Sequence, residues 1–481
     1  MESRRKPIFL HFRSSHTLIL ATVTFAVFID TFLYGVIIPI APYVVQYRIK
    51  VGEANVQRDI TYSIIAYAAG LLVGSPIFGF LTDRLQNRRW FMVVGLVALL
   101  LSTLLLCLTK TLWLFILGRL FSGLSAAMTW SVGLALITDS FSANQIGKML
   151  GTVSTGMAAG GFLGPLLGGI IYARAGYYSV FAVVFAFVAI DLFFRLILLE
   201  RRDLKKYEEA PDMLTEEGAI GLPEVVTESK TPRETVVGKA IGREPNAKES
   251  WVPSGLKLLK DVRMLNSLFV IVITGWVFSG IEAILPLRVE QIFAFDALGA
   301  GLIFLPLAIT SLLGGLTGWW IDKNGCRIPL VLGLVLGCPV LVVLRFPTEN
   351  TIGHKVLLFA IMALLGIVMA LLLPAAMTEV TRCVTAIEKK NPGCFGKGGA
   401  FGQAFGLFNV AYSVGNVIGP IEAGFVVDAE GFQTATWTLG LIFFVAAIPA
   451  ALLTEGYLFA KKAPDHELSA ASDAQTDKAA S

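Results

Sequence analysis

Gly151-Thr-Val-Ser-Thr-Gly156-Met-Ala-Ala-Gly160-Gly161-Phe-Leu-Gly164-Pro165-Leu-Leu-Gly168-Gly169 is an apolar stretch whose glycines close on a Gly-Pro step. The pattern returns as Gly406-Leu-Phe-Asn409-Val-Ala-Tyr412-Ser-Val-Gly415-Asn416-Val-Ile-Gly419-Pro420-Ile-Glu422-Ala423-Gly424. Gly151 and Gly406 stand 255 positions apart, as do Gly164 and Gly419, and Gly176 and Gly431 beyond the stretches. One duplicated helix pattern, glycine-lined and proline-bent, implies a membrane protein built from two similar halves.

Composition agrees. The 481 residues are 55% hydrophobic and only 15% charged, and a mean hydropathy of +0.71 is too apolar for a water-facing surface. Stretches near or above ~18 apolar residues, enough to cross ~30 Å of hydrocarbon, recur along the chain. They predict spans at 18–43, 61–81, 90–108, 112–137, 149–172 and 180–199, then at 265–285, 298–321, 329–344, 356–374, 400–427 and 434–458. The expected fold is an all-α membrane protein of about twelve helices, since backbone polar groups in lipid must be satisfied within each segment. The predicted organisation is an N-terminus at 1–17, a six-helix bundle at 18–199, a polar linker at 200–258, a second bundle at 259–458 and a tail at 459–481. Within the linker, 255–263 reads as a short amphipathic helix at the membrane interface.

Arg4, Arg5, Lys6 and Arg13 precede the first span, and basic residues crowd the alternate loops. The positive-inside rule therefore puts both termini in the cytoplasm. The first apolar segment is too long for a cleavable signal. The basic residues sit at membrane edges, so no nucleic-acid partner is expected. Five cysteines, in spans or on the reducing side, argue against a disulfide framework. All four histidines lie outside the spans, so neither a histidine relay nor a metal site is expected. No cofactor is implied, and no nucleophile–base constellation or phosphate loop supports an enzyme.

A second repeat reinforces the duplication. Gly79-Phe-Leu-Thr-Asp83-Arg84-Leu-Gln86-Asn-Arg88-Arg89 follows the second span, and Gly318-Trp-Trp-Ile-Asp322-Lys323-Asn-Gly325-Cys-Arg327 follows the eighth. The glycine permits close helix approach, the aspartate favours a neighbouring helix N-terminus, and the basic cluster stays in water. Together they read as a charged latch, made and broken as the halves rock. The plainer reading is ordinary loop charge, which two copies in register make less attractive.

These residues resemble the major facilitator superfamily over nearly the whole chain. Gly79…Asp83-Arg84…Arg88-Arg89 resembles its cytoplasmic-loop signature, with Gln86 where glycine is usual; the second copy keeps that glycine as Gly325. Gly151-x8-Gly160-x3-Gly164-Pro165-x2-Gly168-Gly169 matches the motif associated with antiporters, which importers generally lack. Gly118-Arg119-Leu-Phe-Ser-Gly123 is similar to the fourth-span motif, whose arginine is implicated in proton coupling. Ile29-Asp30 through Pro39-Ile-Ala-Pro42 and Glu282-Ala-Ile-Leu-Pro286 resemble the twelve-span drug:proton antiporters, in the branch that includes vesicular amine transporters. Glu379 stands where that branch carries an acid. Asn409 replaces an eleventh-span acid, and Tyr67 stands where the second span would have a lysine. The resemblance implies export of a small hydrophobic or cationic molecule, such as a drug, toxin or secondary metabolite. A vesicular amine transporter, a nutrient transporter and a transporter-like receptor are the alternatives.

A charge in mid-membrane costs at least ~2.5 kcal/mol, so each one needs a reason. Burial favours the protonated form of a carboxyl group, which makes Asp30 and Glu282 candidates to exchange protons for a cationic substrate. Each also reads as a structural acid bonded to a neighbouring helix. Glu379, near a span edge, reads equally as an interfacial acid, and Arg119, near a span end, is expected to snorkel to water. Asp191 and Arg195, four apart, read as an intrahelical pair. Glu422 is a weaker cavity candidate. Tyr34, Tyr67, Trp130, Trp276, Phe408 and Tyr412 offer walls for a flat ligand, or else face core or lipid. Asn409 and Asn416 are the better polar lining. The partners expected are a small-molecule substrate, protons and the bilayer, for a monomer in the plasma membrane rather than a vacuolar or vesicular one.

Overall fold

The computed structural model describes residues 13, 15–85, 88–197, 254–295, 299, 302–395 and 399–456. The first half holds α1 (His16–Tyr43), α2 (Glu53–Leu85), α3 (Arg88–Cys107), α4 (Leu112–Ser140), α5 (Ile146–Ala175) and α6 (Tyr177–Ile197). A short helix, Ser254–Leu258, precedes α7 (Val262–Phe293). Then come α8 in two pieces, Leu305–Ser311 and Gly314–Asn324, α9 (Arg327–Val343), α10 (Ile352–Lys390), α11 (Phe401–Glu430) and α12 (Phe432–Leu453). The described residues contain no strand.

Ten of these helices are long and apolar enough to cross a membrane, two fewer than the twelve expected. α8 is interrupted where Leu312 and Leu313 bond back three residues instead of four, just before Gly314-Gly315. α9 is confined between Gly325, at φ +90°, and the turn after Val343. Its 17 residues span about 25 Å at 1.5 Å each. Outward side chains are apolar, Phe425 being 74% exposed and Ile421 67%, so the outer face suits hydrocarbon, not water.

The duplicated glycine run explains the packing. α5 lies chiefly along α1, and α11 along α7. A side chain at Gly160 would strike the Phe28 carbonyl and the Thr31 hydroxyl, and one at Gly164 the Phe32 carbonyl. Gly415 and Gly419 meet the Val272 and Trp276 carbonyls in the same way. Without a hydrophobic drive between helices in lipid, such backbone approach is what makes dispersion contacts dense enough to hold them. Gly176 and Gly431 end the two runs at φ +82° and +88°, a left-handed stop that glycine adopts without a Cβ penalty.

The linker at 200–253 and the tail at 459–481 fall outside the described residues. The helix expected over 255–263 is shorter, running Ser254–Leu258. It ends at Leu258, which is fully buried against the second half, and the Lys257 ammonium donates to the Cys394 carbonyl at 2.8 Å. Asp261 then caps the start of α7 by accepting from the Arg263 and Met264 amides (2.9 and 3.1 Å).

Candidate functional site

Two centres emerge, one at the end of the molecule where α1 begins and α12 finishes, one near mid-helix. At the first, Asp83 closes α2 and accepts from the Gly402 and Gln403 amides at 2.8 and 2.9 Å. Asp322 closes α8 and accepts from the Gly147 and Lys148 amides at 2.7 and 2.8 Å. Each carboxylate of one half therefore caps the glycine-run helix of the other, meeting the positive end of its dipole. Gly147 and Gly402 are themselves 255 apart, so the two repeats interlock. Arg88 links Asp83 (3.8 Å) to Asp139 (2.7 Å).

Other cations of the two signatures make contacts beside the caps. Arg84 lies over the Phe80 ring at 4.6 Å and Lys323 over Trp319 at 4.0 Å. Arg327 donates to the Thr454 and Gly456 carbonyls (2.9 and 2.6 Å), inside the second half. The Arg89 side chain lies outside the described residues. Gly79 and Gly318 bring the strands of contact together: a Cβ on Gly79 would sit 2.5 Å from the Gly402 carbonyl.

Closure here leaves no room for bulk. A Cβ on Gly147 would fall 2.6 Å from both an Asp322 oxygen and the Gly318 carbonyl. Overpacking costs about 1–3 kcal/mol, and ~1.4 kcal/mol is tenfold in population. Gly147→Leu is expected to cut transport by about tenfold or more by that arithmetic, with melting temperature nearly unchanged. Wild-type transport rates would show that closure does not depend on this contact.

The second centre surrounds Asp30, near the middle of α1 and 3% exposed. Its carboxylate accepts from the Trp130 indole Nε1 at 3.0 Å. Arg119 is buried, at 1% exposure, and does not snorkel. It sits a turn and more inside α4, where its guanidinium lies 5.2 and 5.0 Å from the Tyr34 and Tyr67 ring centres. Those rings are 4.8 Å apart, so π faces replace the water that snorkelling would have reached. Its Nε and Nη1 meet no acceptor among the described residues. Asp30 lies within electrostatic reach of Arg119 and Arg195.

The second half faces this group. Glu282 is exposed and has no hydrogen bond or ion pair among the described residues, and its charge reaches Tyr34 and Tyr412. Tyr412 stacks parallel to Phe408 at 6.5 Å. The Asn409 amide reaches the Ser131 hydroxyl of α4 at 3.5 Å, across the two halves. Asn416 turns instead towards Gly275 of α7.

Glu379 is not part of this group. It is fully buried, bidentate to Arg263 (2.5 and 3.0 Å), and accepts from the Glu455 amide at 2.8 Å. Glu422 packs between α7 and α12, near Trp276 and Thr438 (3.4 and 3.2 Å). Asp191 and Arg195 pair at 2.7 Å, and Arg195 also donates to the Met92 carbonyl. One thiol and two carboxylates, Cys326, Glu379 and Glu455, gather within 4.8 Å. Arg263 and Arg382 already occupy those carboxylates, so the donors are not free for a cation.

Sequence reading missed the specific partners. Trp130 was one aromatic among several, and nothing local marks it as the donor to an acid a hundred residues earlier. Gly147 and Gly402 lie just ahead of the runs, and the shared 255 offset is the one signal that could have found them.

A sequence profile of the Major Facilitator Superfamily matches residues 20–389. The uncharacterized MFS-type transporter C18.02 of Schizosaccharomyces pombe is 31% identical over 445 residues, covering 91% of this chain and 96% of its own. The MFS-type transporter ppzB of Metarhizium rileyi is 27% identical over 454 residues, covering 89% and 92%. In shape, the crystal structure of the human organic anion transporter MFSD10 (TETRAN) matches at a TM-score of 0.65 and 16% identity, over 90% of this chain and 99% of that one.

Proposed function

The chain belongs to the Major Facilitator Superfamily, a transporter family, and on that premise we propose that it exports a small hydrophobic or cationic molecule in exchange for protons by alternating access. The observation that carries the reading is Asp30: a buried carboxylate, in mid-helix, held by one indole donor and set among aromatic rings. A carboxyl group so placed is neutralised either by a proton or by a cation, and the two compete. Glu282, on the facing half and without a hydrogen-bond or ion-pair partner among the described residues, offers a substrate cation a second carboxylate, with Tyr34, Tyr67 and Tyr412 as its walls.

The complete glycine motif at Gly151–Gly169 supports exchange over import. The paired caps at Asp83 and Asp322 supply the moving part, closed at the end that carries the termini. By the positive-inside rule that end faces the cytoplasm, so the form described here is closed on the cytoplasmic side. The bilayer in question is the plasma membrane.

Purified protein in liposomes tests this. With ethidium and rhodamine 6G as probe cations, an imposed proton gradient is expected to drive their accumulation and to be consumed by it. Movement indifferent to collapse of the gradient by nigericin would leave a facilitator, not an antiporter.

A further inference from the structure

α4 carries two adjacent residues that look in different directions. Trp130 donates to Asp30 of α1 at 3.0 Å, within the first half. Ser131 receives Asn409 of α11 at 3.5 Å, from the second half. Neighbours on a helix point about 100° apart, so one rigid element touches both partners at once. All four side chains are buried: Trp130 and Ser131 at 7% and 0%, Asp30 and Asn409 at 3% and 4%.

We propose that Trp130 is a positioning residue of the carrier: its indole N–H clamps the Asp30 carboxylate to α4, and through the neighbouring Ser131–Asn409 contact it ties the state of that carboxylate to the fit between the halves. The inference rests on the reading of Asp30 as the group that exchanges a proton for substrate. An indole N–H is a donor only, so its bond to an ionised carboxylate is charge-assisted and its bond to a neutral one is not. When a proton or a substrate cation takes that charge, Trp130 is left with a weakened acceptor in a dry site, where an unmet donor is costly. α4 then relaxes, and Ser131 moves with it.

The surroundings leave this role to Trp130. Arg119 of α4, Arg195 of α6 and Tyr67 of α2 act on Asp30 through their charge or ring, but among the described residues no other side chain is hydrogen-bonded to it. α5 presents glycines to α1 here, with nothing titratable.

The caps report the outcome without needing a substrate. The Gly402, Gln403, Gly147 and Lys148 amides are bonded only while the halves meet at that end. Hydrogen–deuterium exchange of the full chain in nanodiscs, at one neutral pH, compares wild type with Asp30→Asn, Trp130→Phe, their double variant and Ser131→Ala. Asp30→Asn and Trp130→Phe are each expected to speed exchange at these amides by about tenfold, as loss of a charged hydrogen bond predicts. The double variant should be no faster than either single one, and Ser131→Ala should move in the same direction by less.

Trp130→Phe at wild-type rates beside a fast Asp30→Asn would overturn the inference and leave the reading of Asp30 standing. Multiplied effects in the double variant would overturn it too, because independent structural damage adds in free energy. An Asp30→Asn protein with unchanged exchange and unchanged proton-driven transport would remove the functional reading itself. If Trp130→Phe does not fold, Ser131→Ala decides, wild-type exchange counting against the link.

Discussion

Asp30→Asn is expected to abolish proton-driven accumulation, down to the level of empty liposomes, while the protein still folds and reaches the membrane. The substitution keeps the shape, and its amide oxygen still accepts from the Trp130 indole, now as a neutral bond worth about 1 kcal/mol. What disappears is the one property the reading needs, a group that can carry or release charge in a buried site. Exchange of labelled for unlabelled probe, which requires no proton, separates two outcomes. Retained exchange with lost accumulation assigns Asp30 to the coupling step, and loss of both assigns it to substrate binding as well. Full accumulation by the variant would be incompatible with proton antiport through Asp30.

Glu379→Gln should behave in the opposite way, with a large loss of stability and little change in coupling. Glu379 neutralises Arg263, whose side chain is only 21% exposed, and also holds the Glu455 backbone amide. Removing one partner of a buried pair strands the other charge and costs about 3–5 kcal/mol; partial exposure of Arg263 points to about 3 kcal/mol on that scale. The expected result is a clear fall in melting temperature, with the proton requirement of transport kept in the protein that remains folded. Arg263→Met together with Glu379→Gln should recover part of the loss, since no lone charge is then left buried. A variant that melts like wild type but has lost proton dependence would return Glu379 to the coupling machinery.

The contrast between these two acids shows what was legible beforehand. Both announced themselves by the cost of placing a carboxylate among apolar residues, and the family resemblance gave both a place in coupling. Position along a span said that Glu379 was nearer an edge, but not that Arg263, 116 residues earlier, would reach it with two hydrogen bonds. Arg119 shows the limit in another way. Its distance from a helix end made snorkelling reasonable, yet Tyr34 and Tyr67 enclose it. Pairing across helices depends on which faces meet, and no local pattern encodes that.

Sequence by itself determined the class and the duplication. Hydropathy, length and the 255-residue offset are properties of the chain read in one direction, and the energetics of lipid leave few folds that satisfy them. It also determined where helices could approach, because a missing Cβ permits contact whatever the partner. Tertiary structure decided who the partners are. The later glycines of each run seat α5 on α1 and α11 on α7, whereas those at the start meet the opposite half, Gly151 against Gly314 and Gly406 against Ser75. A glycine has no side chain to express a preference, so its partner is set by what the rest of each helix buries. The same run thereby serves as a permanent seam along one part of its length and as a parting surface along the other.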